Sequence, residues 1–121
     1  MENVKASFDI ESVEGQVRLF NAKNGSGQAM KDLEHGTVLN GKGIVQYPET
    51  TDTYGHEQEV MVTVLFTEDG ESFASVSESV AKAGSNLIDF LSATGQEEFK
   101  VKIIKATSKG GNEFLNLQLI G

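Results

Sequence analysis

The chain has only two tyrosines and no tryptophan, and one tyrosine borders a polar segment that contains the other. Tyr47 closes an apolar run. Tyr54 lies within Pro48-Glu49-Thr50-Thr51-Asp52-Thr53-Tyr54-Gly55-His56-Glu57, beside a glycine and with few apolar neighbours to bury against. A phenol ring in such a setting suits a stacking platform, because it presents a large flat face and loses little conformational freedom when fixed. Nucleobases are natural partners, since every base has a π face. The alternative is a ring folded back onto the rim of a core, and for Tyr54 the residues leave both readings open. For Tyr47, at the end of its apolar run, a core or rim position leads.

Cations are the second source of chemistry, and there are only ten. Lys100, Lys102, Lys105 and Lys109 fall together late in the chain, with Lys42 and Arg18 earlier. Lys100 and Lys102 alternate, so on a strand they share one face and could follow a phosphate backbone. A solvated outer face is the ordinary explanation of the same alternation.

Catalytic chemistry finds little support. His35 and His56 are the only histidines, and neither stands in a nucleophile or metal motif. His56, Glu57 and Glu59 fit no common ligand spacing and read as a solvated acidic segment. Gly25-Ser26-Gly27 lacks the Gly-Lys-Ser/Thr that would make a phosphate loop. With no cysteine, disulfides, thiol catalysis and cysteine-held zinc are excluded. The expectation is a binding protein, not an enzyme, with no catalytic residue, cofactor or metal.

These residues need elements to position them. Thr37 to Tyr47 reads as a strand, with Gly41 and Gly43 marking a bulge, a bend or a close ligand approach. Glu59 to Thr67 alternates Val60, Val62, Val64 and Phe66 against Met61, Thr63 and Leu65, and Glu68-Asp69-Gly70 then turns into a short strand, Ser72 to Val76. Ser75 and Glu78 have capping-box spacing ahead of a helical stripe, Val80, Gly84, Leu87, Ile88 and Leu91, which ends near Ala93-Thr94-Gly95. Glu98 to Ala106 and Phe114 to Ile120 are two further strands around the turn Lys109-Gly110-Gly111-Asn112, the last with Leu115, Leu117 and Leu119 inward. Before these, residues 1–35 read as an N-terminal strand or hairpin: two strand-like pieces lie about Glu14-Gly15, the second being Gln16 to Phe20.

Three strands, a helix and two strands make an all-β protein with one helix, a five-stranded OB-like barrel. All 121 residues form one domain. Such barrels present a strand face and two loops, here residues 48–57 and 105–112, to an oligomer. The net charge of −8 argues against tight sequence-independent binding of duplex. Single-strand binding stays open, since stacking supplies roughly 1–3 kcal/mol per base without charge. The acidity predicts weak binding per molecule and use at high concentration. No apolar run reaches a membrane span, and Met1-Glu2-Asn3-Val4-Lys5 is too polar for a signal peptide, so a soluble intracellular protein is expected. The rival reading is an OB-like adaptor that holds a protein partner without nucleic acid, which the charge suits better.

Several segments are similar to one family: Met1-Glu2-Asn3, Glu14-Gly15-Gln16-Val17, Phe20-Asn21-Ala22, Gln46-Tyr47, Asp52-Thr53-Tyr54-Gly55, Ser85 with Leu87-Ile88-Asp89, Phe99-Lys100-Val101-Lys102 and Leu117-Gln118-Leu119. Together they resemble, nearly end to end, the single-stranded DNA-binding protein of small tailed Bacillus phages that replicate linear genomes by protein priming. The resemblance implies an early protein that coats displaced single strands in the host cytoplasm, shields them from nucleases and assists helix opening. It also implies base contact by Tyr47 and Tyr54, with Phe73 standing where a relative has tyrosine, and so lacking a phenolic hydroxyl. The expected DNA-binding set is therefore Tyr47, Tyr54 and Phe73 for stacking, with Lys42, Lys100, Lys102 and Lys109 for phosphate. Single-stranded DNA is the expected partner, the replication polymerase a further candidate, and no membrane is involved. Monomer and homo-oligomer both remain open.

Overall fold

In the middle of the central strands, Ile44 to Tyr47 and Met61 to Phe66, every residue but Gln46 is apolar or β-branched, which suits strands covered on both faces. β3 (Val38–Thr53) and β4 (His56–Thr67) pair antiparallel from Gly41/Thr67 to Thr53/His56 in the computed structural model, which describes residues 4–24, 27–107, 109–111 and 113–120. Ile44, Val45, Gln46, Tyr47, Val62, Thr63, Val64 and Leu65 are all buried. The two-residue period sends Ile44 and Leu65 into one core, and Val45, Tyr47, Val62 and Val64 into another. The first core is closed by α2 (Glu78–Thr94), the second by α1 (Val13–Lys23).

The remaining strands extend this pair. β5 (Ser72–Ser75) adds antiparallel to β4, and the dipeptide β2 (Gln28–Ala29) adds parallel to β5. β6 (Phe99–Thr107) pairs with the start of β3, and β7 (Glu113–Ile120) with β6. A second dipeptide, β1 (Lys5–Ala6), pairs with β3 at Gln46 and Val45, beyond the stretch that β6 occupies. The sheet order is β2-β5-β4-β3-β6-β7. Phe73 of β5 shares one core with Leu115 and Leu117 of β7, so the sheet curls into a half-barrel around α2.

The α2 stripe is as the periodicity predicts: Val80, Gly84, Leu87, Ile88 and Leu91 are buried, and Gly95 takes the left-handed cap at φ 72°. The N-cap differs. Ser77, not Ser75, accepts from the Val80 N–H, because Ser75 is still paired to Thr63 in β5. The Ser75 hydroxyl instead accepts from the Ser77 N–H.

Two expectations are corrected. Of the two strand-like pieces about Glu14-Gly15, the second, Gln16 to Phe20, lies in the helix α1, while the first keeps only the dipeptide β1, so the protein is mostly β with two helices and a short 3-10 turn at Met30–Asp32. Ser12 caps α1 by accepting from the Gly15 N–H at 3.0 Å, and Gly15, Leu19 and Ala22 recur at helical spacing on its inner side. Gly15 has to be glycine: a Cβ there would stand 2.0 Å from the Asp9 carbonyl oxygen. The sheet has seven strands, the five longer ones in the expected order and two dipeptides within residues 1–35, which were expected as one added strand or hairpin but pair with β3 and β5 rather than with each other.

The second correction concerns residues 48–57. They form no loop but the far end of a two-stranded ribbon, paired from Pro48/Met61 to Thr53/His56. Beyond Gln46 the only strand paired with β3 among the described residues is β4, so the missing donor of Pro48 is tolerated. The β3 glycines serve the chain itself. The register shifts between them, the Phe99 ring lies where a Gly41 Cβ would stand, and the Arg18 guanidinium crowds Gly43. Among the described residues, no helix is long and apolar enough to cross a membrane.

Candidate nucleic-acid interface

Tyr54 occupies the tip of the ribbon. Tyr54 and Gly55 both have positive φ, 55° and 78°, the signature of a two-residue hairpin turn of type I′. Asn, Asp or Gly normally fills the first position, because a Cβ in the left-handed region costs about 1–2 kcal/mol. Tyrosine sits there instead, and it is 98% exposed. Its ring does not fold onto the rim. The ribbon behind it is two-sided: Asp52 lies opposite Glu57 and Glu59 opposite Thr50, which places like charges together on one face. Glu49 and Val60 pair on the other.

Tyr47 and Phe73 lie elsewhere. Tyr47 is 4% exposed beneath α1, its hydroxyl donating to the Ala22 carbonyl at 3.4 Å and the Lys23 ammonium standing 5.5 Å from its ring centroid. Burial pushes its phenol above the usual tyrosine range, and the nearby Glu49 carboxylate acts in the same direction. Phe73 is 5% exposed in the α2 core. In this conformation the three aromatics do not share a surface.

The lysines gather better. Lys100 and Lys102 project from the outer face of β6, because Phe99, Val101 and Ile103 take the inner one. In register beside them stand Asn40 and Val38 of β3, and Ile120 and Gln118 of β7. Lys42, exposed in the β3 bulge, continues this surface, and Lys109 is exposed in the turn between β6 and β7. Lys105 is tied down: its ammonium donates to the Lys31 carbonyl and its backbone N–H to His35 Nδ1. By strand rise, Tyr54 is at most roughly 40 Å along β3 from Lys42, so tip and lysines lie toward opposite ends of β3.

Arg18, a lone cation in the sequence, belongs to a cluster that only the helix creates. Its guanidinium lies 5.0 Å over the Phe8 ring and 5.8 Å over Phe66, with Glu14 Oε1 at 3.5 Å. The cleft it shares with Lys42 also carries Asp9, Glu14 and Glu97, so acids outnumber bases there. The signal for this arrangement was Ser12 ahead of Gly15, Leu19 and Ala22 at helical spacing. No group of three or more His, Cys, Asp or Glu is placed to hold a metal among the described residues.

Comparison with known proteins adds a second line of evidence. A family model described as phage single-stranded DNA-binding protein matches residues 1–120. Curated relatives with the name single-stranded DNA-binding protein include those of Bacillus phages phi29 and PZA, each 46% identical over 98% of both chains. That of Bacillus phage B103 is 41% identical over 98% of this chain and 97% of its own. No solved structure matches.

Proposed function

This chain belongs to the family of phage single-stranded DNA-binding proteins, and on that premise we propose that it binds single-stranded DNA regardless of sequence and coats the strand displaced during protein-primed phage replication in the host cytoplasm. The observation that carries the reading is Tyr54, an aromatic ring held free of the core at a position where its own backbone disfavours it. A ring of this kind stacks on any base, which gives affinity without readout. Lys100, Lys102 and Lys42 then follow the phosphates along the outer face, with Lys109 reaching in from the β6–β7 turn. The order of the five longer strands around α2 supports an OB-like barrel, in which a strand face and these two turns form the oligonucleotide surface. Binding of this kind needs no bond-making step, and the protein works by occupancy.

The test is a Tyr54→Asn chain, since asparagine accepts the left-handed turn but offers no ring. Its affinity for oligo-dT, read by anisotropy of a labelled strand, should fall by roughly 1–3 kcal/mol. Unchanged affinity would remove Tyr54 from the site.

A further inference from the structure

The curled sheet does not close on itself. Among the described residues β7 pairs with β6 alone, and β5 lies between β4 and the dipeptide β2. Between the start of β7 and the end of β5 a cleft of about 630 Å³ is left. Phe114 lines it from the β7 side and Val76 from the β5 side, and both are open to solvent, 43% and 60% exposed.

Register keeps the Phe114 ring out of the core. Leu115 and Leu117 pack into the α2 core from the inner face of β7, so Phe114 shares the outer face with Gln118 and Ile120. Those two residues stand beside Lys102 and Lys100. The partner of Phe114 itself is Ala106, roughly 13 Å along β6 from Lys102. Lys109 is exposed in the turn just beyond. The ring therefore lies between Lys102 on the strand and Lys109 at the turn, on the face that carries the lysines.

Charge inside the cleft is balanced, since Lys31 and Glu113 are its charged lining residues. A balanced cleft with apolar walls has little attraction for phosphate, and it suits a flat, uncharged ring. The lysines outside it supply the positive charge. Cations for the backbone and an aromatic for the bases are the two parts by which single strands are held without readout of sequence.

We propose that Phe114 is a base-stacking residue, and that the cleft beside it receives a base of a single strand whose phosphates lie on Lys100, Lys102 and Lys109. The proposal rests on the reading of the protein as a single-strand binder, and it gives the lysine face a ring of its own. Tyr54 stands at the end of β3 remote from its pairing with β6, so the two rings grip a strand at separate places. An oligonucleotide too short to reach Tyr54 still stacks at Phe114.

The chain has no tryptophan, so Phe114→Trp places a single indole at the cleft. Oligo-dT should quench the indole emission over the same concentrations at which anisotropy of the labelled strand reports binding. Indole emission unmoved at saturation would overturn the proposal. Phe114→Leu keeps an apolar side chain and removes the ring. Its affinity for oligo-dT should fall at least about fivefold, with a thermal melt like that of the unaltered chain. Unchanged affinity would overturn the proposal as well, and if the leucine chain does not fold, the indole readout alone decides. Failure of the unaltered chain to bind oligo-dT would instead remove the single-strand reading, and Phe114 with it. Binding by the unaltered chain without either Phe114 effect would remove this site alone.

Discussion

At the scale of the residue, the two tyrosines illustrate opposite uses of one side chain. Tyr54 is strained and exposed, and Tyr47 is relaxed and buried. Strain kept at an exposed aromatic implies that stability and binding are opposed there. The Tyr54→Asn chain that binds more weakly should therefore melt higher, by the equivalent of roughly 1 kcal/mol; a lower melting temperature would contradict the strain argument. For Tyr47 the folded-state phenol ionises above its unfolded value. The stability it contributes is then complete below about pH 10 and is lost as pH climbs through the folded value. In the Tyr54→Phe chain, phenolate absorbance should rise later in the folded than in the urea-unfolded protein; coincident titrations would show that the ring is not buried. The exposure of Tyr54 was only half legible in the sequence, since a polar neighbourhood is compatible with a ring standing free or folded back. The core position of Tyr47 was legible at the end of its apolar run, but the helix that covers it was not.

At the scale of the element, periodicity revealed what was regular. α2 and the longer strands were recognisable because each presents a face of large apolar side chains to a core, so the pattern of residues and the pattern of burial coincide. α1 escaped for a physical reason: its inner side is Gly15, Leu19 and Ala22, while its larger apolar residues face solvent. The ribbon escaped because Thr50 to His56 is polar on both faces, and its pairing depends on a turn whose first residue is a tyrosine. Close helix-to-sheet packing was visible only as a glycine in a stripe. A Cβ on Gly84 would stand 2.9 Å from Gln46 Nε2 and from Thr63 Cγ2, and 3.3 Å from Ile44 Cδ1. Gln46 has no room to retreat, since its amide donates to Thr63 Oγ1 and to the Ala81 carbonyl. Gly84→Ala, which would ordinarily add about 1 kcal/mol to a helix, should instead destabilise by roughly 1–3 kcal/mol in a thermal melt. A stabilised variant would mean that α2 sits further from the sheet than described.

At the scale of the whole molecule, an acidic protein that binds a polyanion has to rely on rings more than on charge. With a net charge of −8 and only Lys42, Lys100, Lys102 and Lys109 proposed as phosphate contacts, the log–log dependence of affinity on salt should be shallow. A slope near −3 is expected, from about four contacts at −0.7 each. A slope that demands ten or more would mean that binding is mainly electrostatic and that another cationic surface carries it. A ring at the ribbon tip and lysines on the outer face of β6 suit a strand that contacts the protein over several nucleotides. The most direct test is a titration of the intact chain with oligo-dT at low salt, following the emission of its two tyrosines, with duplex of equal length as control. Quenching by the single strand alone is the predicted result, and it would establish stacking as the basis of binding. Emission unmoved by the single strand, or quenched equally by duplex, would contradict it.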